Sequence, residues 1–456
     1  MKRLLSALII LSIMSTFVVG FDFAAVESQA LESPTYAQLA AYWAPTIYQD
    51  VSATYDVKSD FITSFNYDGD WRGDNNWENL FNYPLYANVY YSVQETLTHY
   101  FLGYYFFHPR DDGPINLEKH ENDFEGCLIV VKKDTSTYGS FMLLETQSHN
   151  HWYQYTNLSS LTTGSDNIDG SVLMDGNHPK VYISANGIGS DAGHGVKAYD
   201  GSSANGGDGI VYKYINGTPT VPSNTSGSYT NSYDYGLISM DEFWSRRYDT
   251  GGAGHMFSTY GVISGDTYGE NACTAPWGWD DPDDGPALLG QNWSDPAHFI
   301  DTHLNGLGQF SHTYTYNPYF SHKITIINVT SLSNEDTFND ESDIYAKVTV
   351  DGQEHIEQRY WKYNQAEKNS VRPVYWGKNN AEFSNQYSED YNTIYVAKPH
   401  NSQVVIEIKD ADGTSGDDSM GTLTTSAAPG STVTWTNQTT SSGKAKVSAI
   451  VYTNPE

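Results

Sequence analysis

The sequence predicts a mainly β protein made of two β-sandwich domains, the first loop-rich with a few short helices. Three observations predict it. Strand-length runs of aromatic and β-branched residues recur along the chain, helical spacing is confined to two short stretches, and Gly, Ser, Asn and Thr crowd the connections. The pattern divides the chain into residues 1–30, a loop-rich sandwich over 31–320 and a second sandwich over 321–456.

The first residues place Lys2 and Arg3 ahead of an uncharged stretch from Leu4 to Phe21, with a small-residue exit at Ser28, Gln29 and Ala30. This reads as a secretory signal peptide, so the mature chain is expected outside the cell with no transmembrane segment. Ser33 and Pro34 then open a short helix with Tyr36, Leu39, Ala40 and Trp43 at helical spacing, and Pro45 stops it. Residues 86–108 alternate through two aromatic-rich strands, and 124–132 make a third. The run 143–155 reads as a fourth strand with Glu145, Gln147, His149, His151 and Tyr153 on one face. Loops around short strands fill 186–234, and Ser239 with Glu242 has capping-box spacing for a second helix. The pattern resets near Asn317 and Pro318. From Lys323 onward, eight or so short strands in about 130 residues predict an all-β sandwich.

Composition narrows the function. The chain of 456 residues carries 55 Asp+Glu against 24 Lys+Arg and has a formal net charge of -31, which excludes a nucleic-acid partner and disfavours unaided binding to an anionic membrane. The first 30 residues hold Lys2, Arg3, Asp22 and Glu27, so their removal leaves that charge unchanged. Only Cys127 and Cys273 are present, too few for a disulfide framework, and either a bridge or two buried thiols is consistent with them. Sequons stand at Asn157, Asn216, Asn224, Asn292, Asn328 and Asn437.

The segment from 106 to 131 concentrates Asp111, Asp112, Glu118, His120, Glu121, Asp123 and Glu125. If 124–131 is a strand, Asp123 and Glu125 share a face, with His120 on the loop just before it. Same-face carboxylates repel unless a cation or hydrogen-bond donors lie between them, and oxygen ligands with one imidazole suit Ca²⁺, Mg²⁺ or Mn²⁺. The residues Pro109, Arg110, Asp111 and then His120, Asp123, Phe124, Glu125 resemble the motif of necrosis- and ethylene-inducing-like (NLP-type) secreted proteins over about 20 residues. That resemblance implies a β-sandwich cytolysin in which Asp111, His120, Asp123 and Glu125 hold a divalent cation, with Asp112 an alternative to Asp111. Phe124 stands where the family has Trp, and Glu121 and Asn122 where it has a basic residue and His.

A second acidic run, from Asp68 to Asn79, fails as an EF-hand loop because Arg72 occupies a ligand position and Asn79 replaces the closing Glu. It stays open as a looser calcium turn, a sugar-facing loop with Trp71 and Trp77 as stacking platforms, or a packed polar turn. Trp277–Gly285 has the same composition and the same alternatives. His178 or His194 is able to complete a site in the first domain. No nucleophile triad, zinc run or nucleotide-binding Gly loop is present, so catalysis, if any, would use His120, His149 or His151.

In the second domain Asp410, Asp412 and Asp418 follow a strand ending at Lys409, with Gly421 just after. This resembles the third calcium loop of C2-type lipid-binding domains. Asp343, with Asp336 or Asp340, takes the place of the first loop, although Ile344 replaces the usual Pro, and Trp376 lies in a run similar to a strand between them. The resemblance implies Ca²⁺ held by Asp336, Asp343, Asp410, Asp412 and Asp418, able to bridge to lipid phosphate. Two such loops form a cup for one or two ions, and those ions would reverse the local sign of an acidic protein.

The chain therefore reads as a secreted, cation-binding, cytolysin-like protein that recognises membrane lipid headgroups or cell-surface glycans. The alternatives are a metal-dependent hydrolase of phosphoesters or polysaccharides and a calcium-stabilised adhesive surface protein.

Overall fold

The computed structural model describes residues 33–455 apart from 53, 55, 114–118, 150, 163–167, 186–192, 206–207, 269–272, 280–288, 334–340, 358–364, 374–385, 388–390 and 412–415. Pro34–Glu456 pack as one compact unit. Residues 1–30, expected as a signal peptide, and Asp336, Asp340, Trp376 and Asp412 lie outside the described residues. No helix among the described residues is long and apolar enough to cross a membrane.

The chain enters through helix α1 (Tyr36–Trp43), which buries Leu39, Ala40 and Trp43. Its cap is Thr35 rather than Ser33. The Thr35 side chain accepts from the Gln38 amide, and the Gln38 side chain accepts from the Thr35 amide, a complete capping box.

The scaffold of the first sandwich is an antiparallel meander of β2 (Asn88–Thr96), β3 (His99–Asp111), β4 (His120–Lys132), β5 (Ser140–Ser148) and β6 (His151–Tyr155), after β1 (Thr46–Asp50) in the facing sheet. Alternation along β3 sends Leu102, Tyr104 and Phe106 to one face and Phe101, Tyr105 and Phe107 to the other. Both faces are covered. One packs against the sheet of β1, 178–183, 196–198 and 209–213, through Ile47, Val181, Val196 and Ile210. The other packs under the short helices and loops of 240–310, through Phe243, Trp277, Trp293 and Phe299. Burial on two sides explains why β3 and β4 read as near-continuous apolar runs, and why the loop-rich stretch is itself part of a core.

Three local expectations change. The run 143–155 is a hairpin, because His149 takes φ 56 and turns the chain between β5 and β6. Ser239 does not cap by its predicted box: the short helix 241–244 has Met240 at its N-cap, and Ser239 ends a strand and accepts from the Asp241 amide. Asn292 is buried within the helix 291–294, so folding removes that sequon from the surface.

The second sandwich has its own core of Ile324, Ile326, Ile344, Val348, Ile406, Ile408, Val447 and Val451 between two five-stranded sheets. Asp295 joins it to the first, accepting from the Tyr314 hydroxyl and the Tyr395 amide.

Candidate metal centre

The centre forms where β3 and β4 run out together. Their register sets Asp111 opposite His120 and His108 opposite Asp123. His120 thus begins the strand instead of lying on the loop before it. In a regular strand His120 and Asp123, three apart, would face opposite sides. Asn122 breaks the alternation with φ 60, a conformation Asn tolerates better than most residues. Its side chain is tied down by Asn76 and by the carbonyls of Gly73 and Ser264. Asp111, His120 and Asp123 then offer ligand atoms that all lie within 4.8 Å of one another.

The histidine is oriented for this. Its Nδ1 lies 2.7 Å from the Asn122 carbonyl and so carries the proton, which leaves Nε2, 3.4 Å from Asp111 Oδ2, as the nitrogen able to ligate. Asp112 turns away to an ion pair with Lys119 at 2.9 Å, so Asp111 is the carboxylate of the cluster. Glu125 lies two residues beyond Asp123. Its Oε1 accepts the His149 amide at 3.1 Å, and its buried Oε2 has no hydrogen-bond partner. His120, Asp123 and Glu125 line a cleft of about 320 Å³ with Gln147, His149 and Trp279.

Behind the ligand set stands His194. Its Nδ1 is 2.7 Å from Asp123 Oδ2 and its Nε2 is 3.2 Å from Asp60 Oδ1, so both nitrogens donate and the ring is cationic. His108 stacks on it at 3.7 Å between centroids. Gly193, at φ 55, lets the loop approach: a Cβ there would meet Asp111 Oδ2 at 2.8 Å. Sequence reasoning named His194 as a site partner but missed Asp60, which no spacing rule links to the strand pair, His108, which ends an aromatic strand run, and Gly193 beside His194.

Burial raises the Asp123 carboxyl, but hydrogen bonding and charge from His194, then the charges of His120 and His108, outweigh it and hold it below the ordinary range. Burial lowers His120, yet the hydrogen bond it donates to Asp111 and the charges of Asp123 and Asp111 raise it to about 9, so a cation at Nε2 would displace that proton. Glu125 is pushed well up, by burial first and then by Asp123. A group of carboxylates with one pushed well up and one buried oxygen unpaired is what a divalent cation would relieve. The two carboxylates and one imidazole of Asp111, Asp123 and His120, with Glu125 nearby in the cleft, fit Ca²⁺, Mg²⁺ or Mn²⁺ by donor chemistry.

The other candidates separate. His149 lies at the rim, its Nδ1 3.8 Å from Glu125 Oε1, whereas His151 is exposed on the far side of the turn. His178 is bound to the Ala44 carbonyl. In the run from Asp68, the carboxylates meet protein donors: Asp68 accepts from Asn79 and the Asp70 amide, and Asp74 from Arg72 and the Gly254 amide. That run is a packed turn, with Trp71 against the core. A second close acidic group, Glu78, Glu121 and Asp266, has both Glu121 oxygens taken by the amides of Trp77 and Asp266. Trp277 and Trp279 are core residues, and 280–285 lie outside the described residues.

In the second sandwich Asp343, Asp410 and Asp418 collect at one sheet end. Asp410 is registered with Ile344 on one side and Asp418 on the other, and the Ala411 amide donates to the Asp343 carbonyl. Two details differ from expectation. Asp410 is the last residue of the strand Val404–Asp410 and is buried, and Asp418 is an exposed residue opening the strand Asp418–Thr425 instead of a loop residue.

No curated protein matches the chain. Among solved structures, one described as "Toxin fold for microbial attack and plant defense" matches the N-terminal region at 12% identity and TM-score 0.25, covering 45% of this chain and 73% of that one. Another, "NLPPya in complex with mannosamine", matches at 13% identity and TM-score 0.20, covering 34% and 51%. A structure described as "Structure of a C2 domain" matches at 16% identity and TM-score 0.20, covering 30% of this chain and 98% of that one. Residues 321–441 match the family model described as a C2 domain.

Proposed function

We propose that this chain is a secreted protein that binds membrane lipid in a divalent-cation-dependent manner, with a cytolysin-like action on the bilayer. The observation that carries the reading is the convergence of Asp111, His120 and Asp123 within 4.8 Å at a cleft into which the unpaired Glu125 oxygen is built. The match of residues 321–441 to the C2 family model supports a second, calcium-binding contact through Asp343, Asp410 and Asp418. A cation held at either site supplies the positive charge that a chain of net charge -31 needs to meet a phosphate. The apolar segment from Leu4 to Phe21 behind Lys2 and Arg3 supports export.

Sedimentation of the full chain with phospholipid vesicles, in calcium and in EDTA, tests the reading, with dye release read in parallel. Binding and release that vanish in EDTA are expected. Vesicle binding that is absent in both conditions, or retention on immobilised glycans instead, overturns it.

A further inference from the structure

Beside the metal centre six side chains form a ribbon of cations and aromatic rings. Lys58 Nζ lies 5.3 Å and the Arg110 guanidinium 5.2 Å from the centroid of Phe81. Arg110 lies 4.3 Å from the Trp77 ring, Trp77 and Tyr268 are 5.0 Å apart, and Lys119 Nζ is 5.7 Å from Tyr268. The ribbon follows the rim of the centre, since Arg110 precedes Asp111, Lys119 precedes His120 and Tyr268 pairs with His120 as a β-bridge.

Phe81 is 58% exposed and Tyr268 50%, yet neither belongs to a core. The inner members are held in place: Arg110 Nε donates to the Trp77 carbonyl at 3.0 Å, and the Trp77 amide donates to Glu121. Exposed rings clustered on a rigid base mark an interaction surface. Rings flanked by long cationic side chains are what the headgroup layer of a bilayer accommodates, with rings at the apolar boundary and cations at the phosphates.

We propose that this ribbon is the surface on which the protein settles on a phospholipid bilayer with zwitterionic headgroups. The proposal rests on the lipid reading above and names the contact for it. Zwitterionic lipid is selected by charge. Glu78 and Asp266 are exposed next to the ribbon, and the chain as a whole carries -31, so a net negative bilayer is repelled. Arg110 is buried beside Asp56 and Lys119 is paired with Asp112, so a phosphocholine headgroup presents its phosphate to Lys58 and its quaternary ammonium to the rings and carboxylates.

The test compares the full wild-type chain with a Phe81→Ser, Tyr268→Ser double variant on phosphatidylcholine vesicles in excess calcium. The variant is expected to partition roughly tenfold more weakly because it no longer buries two rings, while its melting temperature and its Mn²⁺ and Ca²⁺ titrations stay those of wild type. In wild type, brominated lipid is expected to quench a fluorescence component that Trp77→Phe removes. A double variant that sediments as wild type does, in a calcium-dependent manner, overturns the ribbon and leaves the lipid reading standing. Tighter binding to phosphatidylserine than to phosphatidylcholine overturns the headgroup assignment. A wild-type chain that sediments with no vesicle overturns both.

Discussion

His194 is clamped between two carboxylates, with Nδ1 2.7 Å from Asp123 and Nε2 3.2 Å from Asp60, and this contact fixes which Asp123 oxygen remains for a cation. Partners of this kind orient a ligand, and their loss commonly weakens metal binding by about 10 to 100-fold. His194→Gln is therefore expected to lower Mn²⁺ affinity at the first site by that range in isothermal titration of the full chain. Asp60→Asn, which keeps the shape, is expected to lower it less. If both variants melt lower but bind Mn²⁺ as wild type does, His194 only holds the fold.

Gly193→Ala probes the same centre from the backbone side. An alanine at φ 55 is strained by about 1 to 2 kcal/mol. Its Cβ would also sit 2.8 Å from Asp111 Oδ2 and press the carboxylate out of place. Lower thermal stability together with weaker Mn²⁺ binding is expected, and the titration is the decisive readout. Unchanged affinity would mean that Asp111 is not a ligand.

The cysteines give a simpler test. Cys127 packs among the residues between the two sheets, with Leu102 and Ile129, whereas Cys273 packs on the opposite face with Trp277 and Trp279. Both are free, and burial drives both thiols up. Two titratable thiols are expected on denaturation without reductant, and none in the native protein. A mobility difference between reduced and non-reduced gels would show that the two halves of the core are crosslinked.

Much of the cluster is legible in the sequence because its members crowd one hairpin. Asp111, His120, Asp123 and Glu125 lie within fifteen residues, and an acidic crowd around one His has few structural explanations. The faces were harder to read. Period-two reasoning placed Asp123 with Glu125 but could not bring His120 to the same side, since the left-handed residue Asn122 does that. The same limit hid the turn at His149, where an apolar-aromatic run continues on both sides of a hairpin. In the second sandwich the strand 418–425 was missed because Ser, Met, Gly and Thr give no strong alternation, so Asp418 was assigned to a loop. The Lys58–Phe81–Arg110–Trp77–Tyr268–Lys119 ribbon draws on four separate segments, and only packing assembles it.

Acid sensitivity is expected from His99, which is remote in role from the metal centre. Its ring meets Phe310 edge-on at 4.6 Å, its Nδ1 is 2.8 Å from Thr98 Oγ1, and its buried Nε2 has no hydrogen-bond partner. Burial first, and then the charges of Lys132 and Lys133, push it from 6.5 down to about 3. The unfolded chain takes up a proton near pH 6.5, while the folded chain refuses it until about pH 3. Between those values the unfolded state binds more protons, so this residue's contribution falls as pH falls, by at most about 1.4 kcal/mol per pH unit. His322, lowered to about 4 chiefly by burial, acts in the same sense. Asp50 and Asp295, raised to about 7 chiefly by burial, act in the opposite one, since their contribution fades as pH rises toward 7. The wild-type profile is thus partly levelled, and only a difference between variants isolates His99. Urea midpoints measured in EDTA across this window are expected to fall less steeply with acid in His99→Phe than in wild type, and parallel profiles would show that His99 is already charged in the fold.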